Sequence, residues 1–204
     1  MEQEATRNGI YIDHEEEDRK KQGPGRALVE RELRLLSKLD HPNLMKVHEA
    51  FEDKHKIYFV FDDFKGGTLF DRIIRAGQFC ETDAAATSGF LTSLIKYLHG
   101  HDIIIRNLRP ESIIFEHEKC FDIKLVDLSL ALETADYIDN DQDIIFQEFQ
   151  REAPVFLAPE LFTIKKKYTQ AVDIWSAGCI IFNMVTGIPP FYESKEKGYS
   201  ALKS

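Results

Sequence analysis

The sequence predicts an α+β fold, because helix-like and strand-like patterns alternate along it. Residues 27–39 and 81–99 carry apolar side chains at helical spacing. The apolar stripe of the second segment consists of Phe90, Leu91, Leu94, Ile95 and Leu98. Apolar runs beside polar turns predict strands within residues 44–51, 57–64 and 103–115. Hydrophobic residues make up 43% of the 204 residues, so the chain can bury a core.

Charge and cysteine usage restrict the partners and the compartment. Lys and Arg number 26 against 35 acidic residues, and the net charge of -9 disfavours a nucleic-acid partner or an anionic membrane surface. The three cysteines are far apart and lack metal-ligand spacing, which is typical of reduced thiols. No apolar run approaches the roughly 20 residues that span a bilayer. We expect a cytoplasmic protein, with the nucleus as the alternative, and neither a nucleic-acid nor a membrane partner.

A polar loop between two apolar runs is the first candidate site. Residues 103–115 read I-I-I-R-N-L-R-P-E-S-I-I-F, and a second apolar run leads to the turn Asp127-Leu128-Ser129. Isoleucine favours pleated strands, and Pro110 cannot donate a hydrogen bond to a β-ladder. The pattern therefore predicts strand, loop and strand, with polar side chains presented on a rigid apolar base.

These residues resemble the catalytic loop and metal-binding turn of the protein kinases. That family reads H-R-D-L-x-x-x-N, with a lysine two residues after the aspartate, and then D-F-G. Three further motifs of the family occur along the sequence in the order that the family has them. They are H-P-N at residues 41–43, A-P-E at 158–160 and D-I-W-S-A-G at 173–178. Residues 65–71, K-G-G-T-L-F-D, resemble the G-G-E-L-F-D segment of calcium-dependent and calmodulin-dependent serine/threonine kinases.

The resemblance implies a two-lobe fold that is curtailed at both ends. Residues 1–9 would form a tail, 10–64 a curtailed β-rich small lobe and 65–204 a mainly helical large lobe. The stretch before Ile10 is too short for the first two strands of such a small lobe. The sequence ends before the last helices of such a large lobe, so we expect an exposed apolar patch on the helix that contains Asp173.

The same resemblance implies ATP and Mg²⁺ as cofactors, but several of their ligands are replaced. Glu32 matches the helical glutamate that pairs with a lysine on the third strand. Asp13 stands at that lysine's position, with His14 in a shifted register, and the glycine-rich loop over the phosphates is absent from the sequence. The positions implied to line the nucleotide base are occupied by Phe61, Asp62, Phe64 and Ile114.

The groups implied to carry phosphotransfer are altered as well. Asn107 occupies the place of the catalytic base, and an amide cannot accept the substrate proton. Ser112 replaces the asparagine that binds a second metal ion, and a hydroxyl is a weaker ligand. Arg109 keeps a positive charge where the family has lysine. Asp127 is the one intact metal ligand, so a single divalent ion could still be held.

The segment between Asp127 and residues 158–160 shows two further replacements. Ala153 stands where the family has a threonine that contacts the catalytic aspartate. Residues 139–143 resemble the start of a calcium loop, but Ile144 replaces its glycine and Gln150 its closing glutamate. Calcium binding is therefore not predicted.

Two main hypotheses follow for function. The first is a pseudokinase-like binding or scaffold module that acts through a protein partner, because base and metal ligands are lost while apolar positions are kept. The alternative is an ATP-dependent serine/threonine kinase with weak or atypical activity on a protein substrate. A non-functional fragment is a third interpretation.

Overall fold

The computed structural model describes residues 24–53, 56–134, 155–162 and 169–191. Four sequence predictions lie outside these residues: the strand near Ile10, the lysine position at Asp13, the acidic loop at 139–143 and Ala153. They stay predictions.

Helix α1 spans Pro24–Lys38 and agrees with the helix predicted at residues 27–39. It begins earlier than predicted, because proline is tolerated in the first helical turn, where its missing N–H has no helical partner. Val29, Leu35 and Leu36 are buried on one face. The same face carries the buried carboxyl of Glu32.

Strands β1 (Glu49–Glu52) and β2 (Ile57–Val60) form an antiparallel hairpin in which Phe51 lies opposite Tyr58. Both strands are shorter than the runs predicted at residues 44–51 and 57–64. The first residues of the run at 44–51 lie outside the hairpin. Met45 N donates to Leu125 O at 2.9 Å, and Leu125 N donates to Asn43 O at 2.9 Å. The start of this run thus pairs with a segment far along the chain rather than with its hairpin neighbour.

Two helices follow the hairpin. Helix α2 (Leu69–Ala76) is capped by Thr68, whose Oγ1 accepts from Asp71 N at 3.0 Å while Asp71 Oδ2 accepts from Thr68 N at 3.2 Å. Helix α3 (Glu81–Gly100) matches the predicted helix at 81–99. The core contains four residues of the predicted apolar stripe, Leu91, Leu94, Ile95 and Leu98, while the fifth, Phe90, is partly buried.

The predicted strand, loop and strand at 103–115 are present. They are β3 (Ile103–Ile104), a 3₁₀ turn (Pro110–Ser112) and β4 (Ile113–Phe115). β4 pairs antiparallel with β5 (Ile123–Leu125), and β3 pairs antiparallel with β6 (Leu132–Glu133). Because each strand pairs with a later one, the loop after β3 and the loop after β5 are brought together.

Helix α4 (Ala171–Thr186) packs against α3 and buries Val172, Ala177, Ile180 and Met184. Its other side, with the turn that follows, exposes a set of large apolar side chains: Ile174, Trp175, Phe182, Val185, Ile188 and Phe191. The described residues thus agree with the apolar patch expected on this helix. Among the described helices, none is long and apolar enough to cross a membrane.

Arg72 on α2 fixes the β4–β5 hairpin. Its Nη1 donates to Cys120 O at 2.7 Å, and its Nη2 donates to His117 O at 3.0 Å and Glu118 O at 3.1 Å. The guanidinium carbon also lies 3.3 Å from the centroid of the Phe115 ring. The planar guanidinium therefore donates hydrogen bonds to three carbonyls and stacks on an aromatic ring, which a lysine ammonium cannot do.

We expect Arg72→Lys to lower the free energy of unfolding by about 1–3 kcal/mol, because carbonyls of the hairpin lose their donors. Urea unfolding measures the change. Arg75→Lys is the matched control, since Arg75 is exposed on the same helix, and its effect should stay within about 0.5 kcal/mol. If both variants lost the same free energy of unfolding, the Arg72 guanidinium would not be what holds the hairpin.

Candidate functional site

The loop after β3 is held by a buried carboxylate of α4. Asp173 accepts from Ile105 N at 2.9 Å through Oδ2 and from Arg106 N at 2.9 Å through Oδ1. His99 Nε2 lies 2.8 Å from Asp173 Oδ2. Arg106 has a φ of 67°, a left-handed conformation that an L-residue keeps only where its surroundings enforce it. The carboxylate therefore sets the path of the chain into the site.

Arg106 also joins the two loops of the site. Its side chain is fully buried, and its Nε donates to Leu130 O at 2.5 Å. Leu130 belongs to the loop after β5, which carries Asp127. The backbone position of that loop is consequently tied to the loop that carries Asn107.

Asp127 lies at the start of the second loop with both carboxylate oxygens engaged. Oδ1 accepts from Ser129 N at 3.0 Å and from Ser129 Oγ at 2.6 Å. Oδ2 faces Arg109 Nη2 at 3.7 Å. The side chains of Arg109 and Asp127 are 27% and 26% exposed, so solvent screens their ion pair only in part.

Glu32 reaches the same loop from helix α1. Its Oε1 accepts from Leu128 N at 2.9 Å, and its side chain is buried. The pKa of Glu32 is raised to about 8, mainly by burial and secondly by the nearby charge of Asp127, while the hydrogen bond from Leu128 N opposes both effects. A large part of this carboxyl therefore stays protonated at neutral pH.

The two polar residues of the first loop have different surroundings. Ser112 is buried, its Oγ donates to Arg109 O at 2.9 Å, and its own carbonyl accepts from Val126 N at 3.0 Å. The hydroxyl proton of Ser112 is thus used in a hydrogen bond within the turn. Asn107 lies partly exposed between the buried Arg106 and Leu108. The loop therefore presents an amide where the resemblance implies a base.

The positions implied to line a nucleotide base lie on the segment after β2 and on β4. Phe61 and Phe64 are buried with their ring centroids 6.4 Å apart. Asp62 is exposed beside His48, and Ile114 is partly buried. Among the hydrogen bonds of the described residues, none uses the backbone of 62–64. The backbone groups of residues 62–64 could form the hydrogen bonds that the edge of a nucleotide base needs.

The residues implied to bind Mg²⁺ do not fit that ion as they stand. Mg²⁺ requires near-octahedral oxygen ligands at about 2.0–2.1 Å. Both oxygens of Asp127 contact Ser129 or Arg109, and the Ser112 side chain is buried in its turn. Within the described part of the chain, no group of three or more His, Cys, Asp or Glu side chains could hold a metal ion.

The structure therefore brings together Glu32, Arg109, Ser112 and Asp127, all of which the sequence proposes as site residues. Sequence reasoning missed two of their supports, Ser129 and His99. A serine two residues after an aspartate is a local signal for a side-chain-capped turn and could have been found. Nothing local marks His99, because its contact with Asp173 joins residues 74 positions apart.

The loop after β3 and the loop after β5 thus meet at one place, and the carboxylate of Asp127 lies at the start of the second loop. Residues 10–204 match the family model described as the protein kinase domain. The chain belongs to the protein kinase family.

Its curated relatives are kinases of larger size. It is 33% identical over 177 residues to calcium-dependent protein kinase 24 of Arabidopsis thaliana, covering 83% of this chain and 28% of that protein. It is 37% identical over 175 residues to calcium-dependent protein kinase 4 of Plasmodium falciparum (isolate 3D7), covering 85% and 31%. A probable myosin light chain kinase of Dictyostelium discoideum is 33% identical over 176 residues, covering 84% and 54%. The chain thus spans less than a third of the two calcium-dependent kinases.

Proposed function

We propose that this protein kinase domain is impaired in phosphotransfer and acts as a binding module for a protein partner. The observation that carries the proposal is Asn107. The loop around it is fixed by Asp173 and by the buried Arg106, so the position of its backbone is defined. An amide at the base position cannot take up a proton, and loss of a general base lowers rates by about 10²–10⁴.

The apolar frame of the site supports the same proposal. Ile105 and Leu128 stand where the family has histidine and phenylalanine, and both side chains are 1% exposed. The replacements keep the core between the two loops closed while they remove the histidine's hydrogen-bonding groups. A domain with a preserved core and replaced reactive groups is suited to presenting a surface rather than to turning over a substrate.

The alternative function, weak ATP-dependent transfer to a serine or threonine of a protein, is favoured by one observation. Glu32, Arg109 and Asp127 are retained and lie around the same turn. ATP is the ligand that this alternative requires, and the backbone groups of residues 62–64 could hydrogen-bond its base. The two proposals therefore differ in whether phosphate is transferred.

The rate of phosphate transfer distinguishes the two proposed functions. We expect transfer of the γ-phosphate of ATP to a mixed protein substrate to be at least about 10²-fold slower than with an active member of the family, because no base accepts the hydroxyl proton. The wild-type rate should equal that of Asp127→Ala. Asp40→Ala is the control, since Asp40 is an exposed carboxylate that pairs with Lys46.

Thermal unfolding with and without ATP, on the same protein, reports binding independently of turnover. Transfer that Asp127→Ala abolishes and Asp40→Ala leaves intact would contradict the proposed impairment and establish the alternative.

A further inference from the structure

We propose that the guanidinium of Arg109 is the resident counter-charge of Asp127 and keeps divalent metal ions off this carboxylate. The wild-type site would then be closed to Mg²⁺, and removal of one positive charge would open it. The inference rests on the geometry around this ion pair.

The two carboxylate oxygens of Asp127 contact different partners. Ser129 donates to Oδ1 twice, through its backbone N–H at 3.0 Å and its hydroxyl at 2.6 Å. Only Oδ2 remains for a cation, and Arg109 Nη2 lies 3.7 Å from it. A divalent ion at Oδ2 would sit within a few ångströms of the guanidinium, and like charges at that distance repel strongly away from bulk water.

The turn after Arg109 keeps the guanidinium in place. Arg109 N donates to Ser112 Oγ at 3.4 Å, and Arg109 O accepts from the same hydroxyl at 2.9 Å. Pro110 follows directly and fixes its own φ. The arginine stem therefore starts from an ordered backbone, which lowers the entropy lost when its head group pairs with Asp127.

A second carboxyl explains why removal of the arginine should create a metal site. Glu32 is buried beside the same turn, and its Oε1 accepts from the N–H of Leu128, the residue after Asp127, at 2.9 Å. Without Arg109, the carboxylate of Asp127 loses its counter-charge while a second carboxyl group lies next to the same turn. A divalent cation is then the available replacement, and hard oxygen ligands are those that Mg²⁺ prefers.

The test is thermal unfolding of the full chain in millimolar Mg²⁺ at constant ionic strength, without nucleotide. We expect no shift for the wild type and a rise of about 2–4 °C for Arg109→Gln at Mg²⁺ concentrations well above its dissociation constant. Adding Asp127→Asn to Arg109→Gln should remove the shift. Arg34→Gln, which deletes an exposed arginine paired with Glu133, should behave as the wild type.

Two results would overturn the proposal. A Mg²⁺-dependent rise in the wild type that Asp127→Asn removes would show that Arg109 does not exclude the ion. No rise in Arg109→Gln would show that Arg109 is not what closes the site. Arg109→Met, with a side chain of similar length and no charge, repeats the measurement if the glutamine variant does not fold. Since neither nucleotide nor substrate is present, failure here is distinct from failure of the proposed impairment.

Discussion

Replacing Asp173 with alanine is expected to lower the free energy of unfolding by about 3–5 kcal/mol, because the fully buried carboxylate holds several groups at once. Two backbone N–H groups, those of Ile105 and Arg106, would lose their acceptor inside the protein, and the ring of His99 would lose its partner. The left-handed backbone at Arg106 would also lose the contact that enforces it.

Urea unfolding monitored by circular dichroism measures this loss. Asp173→Asn should fall between the wild type and the alanine variant, since an amide keeps one acceptor oxygen and turns the other position into a donor. Asp40→Ala, at a carboxylate 91% exposed, should change stability by less than about 0.5 kcal/mol. A loss below about 1 kcal/mol in Asp173→Ala would mean that other contacts hold the loop.

The contribution of Glu32 to the stability of the protein is expected to fall as the pH rises from 4.5 to about 8. Its pKa is about 8 in the folded state against 4.5 for the ordinary side chain. The folded protein thus keeps a proton that the unfolded chain releases, so the unfolded state gains with every step of pH between these values. Below 4.5 both states are protonated, and above about 8 both are ionised.

Glu32→Gln isolates this contribution. Glutamine keeps an oxygen to accept from Leu128 N but has no proton to lose. We expect the variant to resemble the wild type near pH 4.5 and to be more stable by on the order of 2–4 kcal/mol above pH 8. The measurement is the free energy of unfolding of both proteins across this range.

Glu30→Gln is the matched control for this titration, because Glu30 lies on the same helix with its side chain 59% exposed. Its stability profile should run parallel to that of the wild type. If Glu32→Gln also ran parallel, the buried carboxyl would not titrate between the two pH values, and its surroundings would be more polar than the structure indicates.

The helices could be predicted from the sequence because their periodicity is local. The predicted helix at residues 81–99 differs from α3 by a single residue at its end. Strand pairing could not be predicted in the same way. The run that begins at Leu44 pairs first with Leu125, and β3 pairs with Leu132–Glu133, because such partners are chosen by contacts across the fold.

The resemblance to the family assigns Arg109 and Asp127 to one candidate site, but it does not predict the contacts that their side chains make. That the two charges face each other, and that Ser129 takes the other oxygen, depends on side-chain geometry that no spacing encodes. The predicted lysine position at Asp13 stays a prediction.

The pairing of β3 with β6 has a consequence for the order in which the protein folds. Ile103 cannot find its strand partner until Glu133 has been synthesised, and the bond from Leu128 N to Glu32 joins residues 96 positions apart. Contacts of such long sequence separation form late, because loop closure must come first. During synthesis the residues of α1 and α3 therefore emerge before Glu133 and before Asp173, so the two loops can close on each other only after both helices have been made.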